Sequence, residues 1–195
     1  NLIVNQVVTT NSFLATGLSQ ATRYFWRVIP ANYCGNGLAS NALTYSFSTG
    51  SLACNNTFTA SDFSDATIGT TANSTASVPV TVTGGLTIGD LNVNIDITHT
   101  WIGDISVYLE GPAEIGSPMI TLLDIPCGDN KNIVCTMDDD GVAPACSGIP
   151  AISGNITPVN PLSALNTLPA DGVWTLRVLD HNNEDGGTIN SFSIN

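Results

Sequence analysis

The chain has 195 residues, 18 Gly and 10 Pro, with four basic side chains against sixteen acidic ones and a formal charge of −12. So acidic a chain argues against nucleic acid and anionic lipid as partners, because both would repel it. It has no run of eighteen apolar residues, so no membrane insertion is expected, and its low charge content and many Thr, Ser, Asn and Val indicate a turn-rich β protein.

The first ten residues, Asn1 to Thr10, lack a basic start and a long apolar run, so no export leader is expected there. From there the predicted elements are short strands with period-two alternation. They include Tyr24-Phe25-Trp26-Arg27-Val28, Val78-Pro79-Val80-Thr81-Val82, Leu91 to Ile97, and Trp174-Thr175-Leu176-Arg177-Val178. Asn36-Gly37, Gly84-Gly85 and Gly186-Gly187 punctuate them as turns, and no amphipathic helix stands out. This pattern predicts antiparallel sandwiches. Charge divides the chain sharply. Before Asp62 there are only Arg23 and Arg27, whereas from Asp62 onward all sixteen acids face only Lys131 and Arg177, a formal −14. The change of composition between Gly50 and Asp62 predicts a linker, giving units at 1–50 and 57–195 with 51–56 between them.

In the first unit, Leu18, Thr22 and Tyr24 lead into the alternating strand through Val28, followed by Asn32, Gly35 and Gly37. This run resembles the second half of a fibronectin type III domain. The resemblance implies that the Tyr24 hydroxyl ties a corner of an immunoglobulin-like sandwich. Half a sandwich leaves an apolar face open, so another chain or domain is expected to cover it.

The second unit contains Ile88-Gly89-Asp90-Leu91, then His99-Thr100-Trp101-Ile102-Gly103-Asp104, then Leu109-Glu110-Gly111-Pro112. These are followed by Met137-Asp138-Asp139, Gly172 through Asp180, and Asp185-Gly186-Gly187-Thr188. In this order and spacing they look like the P domain of proprotein convertases, also called the P/Homo B domain. The resemblance implies a jelly-roll β-sandwich of galactose-binding-like form. In kexin and furin relatives such a domain packs beside a subtilisin-like protease and stabilises it. In secreted bacterial proteins it follows metalloproteases, fibronectin repeats or other modules. Ile105, Leu165 and Phe192 depart from the family's usual residues, but each is an apolar exchange that the fold should accept.

Cys34, Cys54, Cys127, Cys135 and Cys146 show no zinc spacing. They are read as two disulfides, Cys34–Cys54 and Cys127–Cys146, with Cys135 a buried thiol on a strand face; this implies an oxidising, extracellular setting.

Clustered oxygens predict bound Ca²⁺. Candidate ligands are Asp104, Asp138, Asp139, Asp180, Asn182 and Asp185, with Asp140 and Glu184 nearby. Calcium takes six to eight oxygens from carboxylates and carbonyls on turns. Neighbouring carboxylates repel one another unless hydrated or bridged by a cation, so calcium is expected to pin these loops at one rim of the sandwich. Asp180 to Gly187 misses the EF-hand pattern, because the Gly comes one position late and no closing Glu follows.

Catalysis is not expected. His99, Asp104 and a serine suggest a triad only on paper: there is no Gly-x-Ser-x-Gly elbow, and Ser106 and Ser191 fall on predicted strands. His99 reads as a hydrogen-bonded structural residue and His181 as a solvated loop residue. Trp26 and Trp174 read as core, leaving Trp101 for ligand contact. The sequons at Asn55, Asn73 and Asn155 read as loop residues. The whole predicts a secreted, non-catalytic, calcium-stabilised accessory or adhesive module. Its expected partners are the rest of a multidomain protein and possible copies or surface glycans. The alternatives are the P domain of a secreted protease, with the catalytic residues upstream, and a subunit of an extracellular fibre.

Overall fold

The computed structural model describes residues 4–19, 22–37, 41–49 and 56–195. It is all-β, with no α-helix among the described residues. The chain separates into two compact units, Asn1–Ala53 and Cys54–Asn195.

In the first unit, β1 (Arg23–Trp26) and β4 (Tyr45–Ser48) form an antiparallel ribbon with Tyr24 opposite Phe47 and Trp26 opposite Tyr45. These two cross-strand pairs stack, with ring centroids 5.7 and 4.9 Å apart. β2 (Ala31–Asn32) and β3 (Gly35–Asn36) make a tight hairpin, where Asn32 Oδ1 accepts the Cys34 N–H at 2.9 Å. The Tyr24 hydroxyl does tie back to the preceding segment, accepting the Ser19 N–H at 2.6 Å. No described residue of this unit is buried. Trp26, expected in a core, is 48 % exposed, because no second sheet packs on this two-stranded ribbon among the described residues. Cys34 is exposed with a free thiol; its expected partner, Cys54, lies outside the described residues, as does Asn55.

The second unit is a β-sandwich. One sheet has four antiparallel strands: β7 (Ser74–Val82), β13 (Gly172–Asp180), β9 (Ile105–Glu110) and β10 (Met119–Asp124), adjacent in that order. The other contains β5 (Phe58–Thr59), β14 (Gly187–Ile194), β8 (Val93–His99), β11 (Ile133–Val142) and β12 (Ile152–Ile156), with β6 (Thr67–Ile68) also on β14. Only β11 and β12 run parallel among the described pairings.

Alternation explains the packing. Val78, Val80 and Val82 on β7 and Trp174, Leu176 and Val178 on β13 point inward and meet Val93, Ile95 and Ile97 from the other sheet. Trp174 is fully buried, and its indole N–H donates to Ala170 O at 2.8 Å. Ile105, Leu165 and Phe192, the three family exchanges, are all buried in this core. Cys135 is buried too, and burial pushes its thiol up to about 12.

Candidate functional site

The strand ends converge at one rim. The register puts His99 of β8 opposite Gly187 of β14, and Asp180 of β13 opposite both Ile105 of β9 and Ser74 of β7. Here the two sheets are linked by a polar contact that the sequence reading did not pair: His99 Nε2 lies 3.2 Å from Asp180 Oδ2, and both side chains are fully buried. The other ring nitrogen, Nδ1, is 2.9 Å from the Trp101 carbonyl and 3.2 Å from the Trp101 N–H. Asp180 Oδ1 accepts the Asn182 N–H at 3.0 Å. His99 is therefore the hydrogen-bonded structural histidine expected, with Asp180 rather than Asp104 as its carboxylate.

Around this pair the loop following β13 is stitched down. Asn182 Nδ2 donates to Asp104 Oδ1 at 2.6 Å, and the His181 N–H donates to Asp104 O at 2.8 Å. Thr100 Oγ1 donates to Asp185 Oδ1 at 2.6 Å. The Glu184 N–H donates to Thr70 O and the Ala72 N–H to Asn183 Oδ1. His181 is not simply solvated: its Nε2 lies 2.8 Å from Ser106 Oγ, which donates to Asp124 Oδ1 at 2.7 Å. This trio has its serine buried in the middle, with the hydroxyl donating to the aspartate. A nucleophile needs its proton aimed at the base, so the trio does not have triad geometry. Its signal in the sequence was a Ser between the inward Ile105 and Val107, on the opposite face of an alternating strand, with a His one residue beyond a neighbouring strand.

The acids do not all share this rim. β11 runs antiparallel to β8 with Ile133 opposite Ile97 and Met137 opposite Val93. Asp138 and Asp139 therefore lie beyond the Val93 end, about 20 Å along the strand from His99 at 3.3 Å per residue. There Asp139 accepts the N–H groups of Leu162 and Ser163, both at 2.8 Å, and anchors the 3-10 turn Leu162–Leu165. Partial burial pushes its carboxyl up, but the hydrogen bonds from Ser163 and Leu162 outweigh this and hold it below the ordinary range. Asp138 accepts the Asp140 N–H at 2.9 Å. At the same end Asp171 gathers the N–H groups of Gly84, Gly85 and Leu86 at 2.9–3.1 Å, bonds that lower its pKa.

The six expected calcium ligands thus fall into two groups rather than at one rim. Asp138 and Asp139 stand at the opposite end from the four others, and both Asp180 oxygens already have partners. No group of three or more His, Cys, Asp or Glu side chains suited to a metal occurs among the described residues. The named set does not fit a single calcium ion, which needs several carboxylate oxygens converging.

Cys127 and Cys146 are disulfide-bonded. Trp101 is 43 % exposed beside this rim. Asn73 lies in an exposed turn, whereas Asn155, expected in a loop, lies on strand β12.

No family model matches the chain. It is 35% identical over 107 residues to a protein of Trichormus variabilis named "Calcium-dependent protease", and 34% identical over 107 residues to one of the same name from Nostoc sp.. Each match takes in 55% of this chain but only 14% of the relative. Among solved structures it is similar to one described as the Aeromonas sobria serine protease in complex with the chaperone ORF2. That likeness has a TM-score of 0.43 and 15% identity, and covers 86% of this chain and 35% of the other. No helix of the described residues is long and apolar enough to cross a membrane.

Proposed function

We propose that the second unit is a non-catalytic accessory sandwich, of the P (P/Homo B) type, belonging to a secreted protease, where it steadies an adjoining catalytic domain. The observation that carries this reading is the match to two calcium-dependent proteases within only 14% of their length. So small a share is the size of a module attached to a catalytic domain. The rim agrees with that role. Its histidines, serine and acids are tied to one another or to backbone, and none presents a nucleophile with its base towards an open cleft. The disulfide fits an exported protein.

Calcium belongs to this reading only through the relatives' name. The six side chains expected to hold it do not converge on one point. No observation favours the adhesive or fibre alternatives over the protease setting.

The test uses the full-length gene product. Deleting residues 54–195 is expected to shorten the half-life of its peptidase activity on warming while leaving the kcat of surviving enzyme unchanged. A full-length product without peptidase activity sinks the reading, and so does a deletion that leaves the half-life as it was.

A further inference from the structure

The Cys127–Cys146 bridge closes a span of 19 residues, and the segment it holds completes the rim above the His99–Asp180 pair. Asn130 O accepts the Ile102 N–H at 2.9 Å, and Gly128 O accepts the Gly103 N–H at 2.7 Å. Asn132 Oδ1 accepts the His99 N–H at 3.1 Å, and the Asn132 N–H donates to His99 O at 3.3 Å. Asn130 Nδ2 folds back onto Cys127 O at 2.6 Å. Ile102 and Gly103 are buried, so their N–H groups have no water to replace these carbonyls while the rim is closed. Contact is close as well: a Cβ on Gly103 would stand 2.6 Å from Gly128 backbone atoms.

Left to itself, the bridged segment would not keep this shape. Cys127, Asn132 and Cys146 all have left-handed φ, at 61°, 63° and 53°, a conformation uncommon for non-glycine residues and costly for the two cysteines, less so for asparagine. Here the restraints are the bridge, the rim hydrogen bonds, and the Ala151 N–H donated to Lys131 O and Asn132 O at 2.9 and 3.0 Å.

We propose that the Cys127–Cys146 disulfide is a redox latch. Oxidised, it docks residues 127–132 onto the turn at 99–104; reduced, it frees that segment and opens the rim while both sheets stay folded. The bridge is reachable, because Cys146 is exposed. Cys135 does not compete as an internal nucleophile, being buried and held protonated. Opening takes an external dithiol. Its thiolate attacks Sγ of Cys146, the S–S bond breaks, and the electron pair leaves on Cys127 Sγ, which takes up a proton. The second thiol of the reductant then displaces Cys146 as its thiol, and the reductant ends as a disulfide. Closing is the reverse exchange with a disulfide oxidant. The rim would therefore stay open in a reducing interior and close only in oxidising surroundings.

Amide hydrogen exchange on the full chain, carrying Cys34→Ser to remove the exposed thiol, tests this. Millimolar dithiothreitol is expected to speed exchange at Ile102 and Gly103 by about 100-fold, leave the β13 amides unchanged, and be reversed by glutathione disulfide. Cys146→Ser in the same background should exchange like the reduced protein. Unchanged rates at Ile102 and Gly103 after verified reduction overturn the latch. Equal acceleration through β13 also overturns it, since the bridge would then be a staple for the whole unit.

Discussion

Replacing Asp180 by alanine removes two acceptors at once, the one facing His99 Nε2 at 3.2 Å and the one for the Asn182 N–H at 3.0 Å. His99 is then left fully buried with a ring nitrogen lacking its partner. Breaking a buried pair in this way costs about 3–5 kcal/mol, because the survivor stays desolvated. At about 2–4 °C per kcal/mol for a unit of this size, the midpoint should fall by about 10 °C. Asp180→Asn should be far milder, at about 1 kcal/mol. Its amide oxygen can still accept from Asn182 while Nδ2 donates to His99 Nε2, provided that the ring proton sits on Nδ1, facing the Trp101 carbonyl 2.9 Å away. The double variant His99→Leu with Asp180→Leu should cost less than the sum of its single variants, since no polar group is orphaned. Thermal and urea unfolding at neutral pH, followed by circular dichroism, measure Asp180→Ala, Asp180→Asn, the double variant and its two single variants. A loss below about 1 kcal/mol for Asp180→Ala, or strict additivity of the double variant, would refute the claim that the pair is a closed, desolvated link between the sheets.

Asp171 has a folded pKa below its ordinary value of 3.8, set by the N–H groups of Gly85 and Leu86. Its contribution is thus present above pH 3.8 and lost as pH falls through the folded value. Asp171→Asn should flatten the acid limb of the stability curve, and an unchanged limb tells against the clamp. Gly103→Ala should destabilise by about 1–3 kcal/mol in urea titration, because its Cβ would meet Gly128 backbone rather than a flexible side chain. Phe192→Ala should cost about 3–5 kcal/mol as a fully buried aromatic, while a loss below about 1 kcal/mol would contradict its place in the core. Chelation by EDTA should leave the melting temperature of the isolated chain unchanged. A fall reversed by calcium, but not by sodium at equal ionic strength, would return a calcium site to this unit.

The strands were legible because alternation and burial coincide: Val78 to Val82 and Trp174 to Val178 read inward and outward as they pack. Their lengths were less so. β7 begins at Ser74 and β11 runs through Val142, where polar Thr, Asp and Ser residues hide strand under loop-like composition. The parallel β11–β12 pair had no local signal, since Ser153-Gly154-Asn155 reads as a turn and only the partner strand makes it β. At the site, sequence identified the residue types but not their grouping. Asp138 and Asp180 look alike in one dimension, and only the antiparallel register sends them to opposite ends. The His99–Asp180 contact joins residues 81 apart across two sheets, a distance no spacing rule spans. In the first unit the aromatic alternation was clear, but whether Trp26 is covered depends on a second layer that four-residue strands do not encode.

The strand order also dictates when the second unit can fold. β7 finds its sheet partner only in β13, and β5 and β6 find theirs only in β14, near the last residue of the chain. Contacts of such long sequence separation make for slow closure. A ribosome that has delivered β7 must add about ninety more residues before that strand has anything to pair with. β9 with β10, and β8 with β11 and β12, can pair as they emerge, whereas β5, β6 and β7 wait for β13 and β14. For the same reason, termination before β13 should leave β7 without its partner and yield material for degradation rather than a shortened domain.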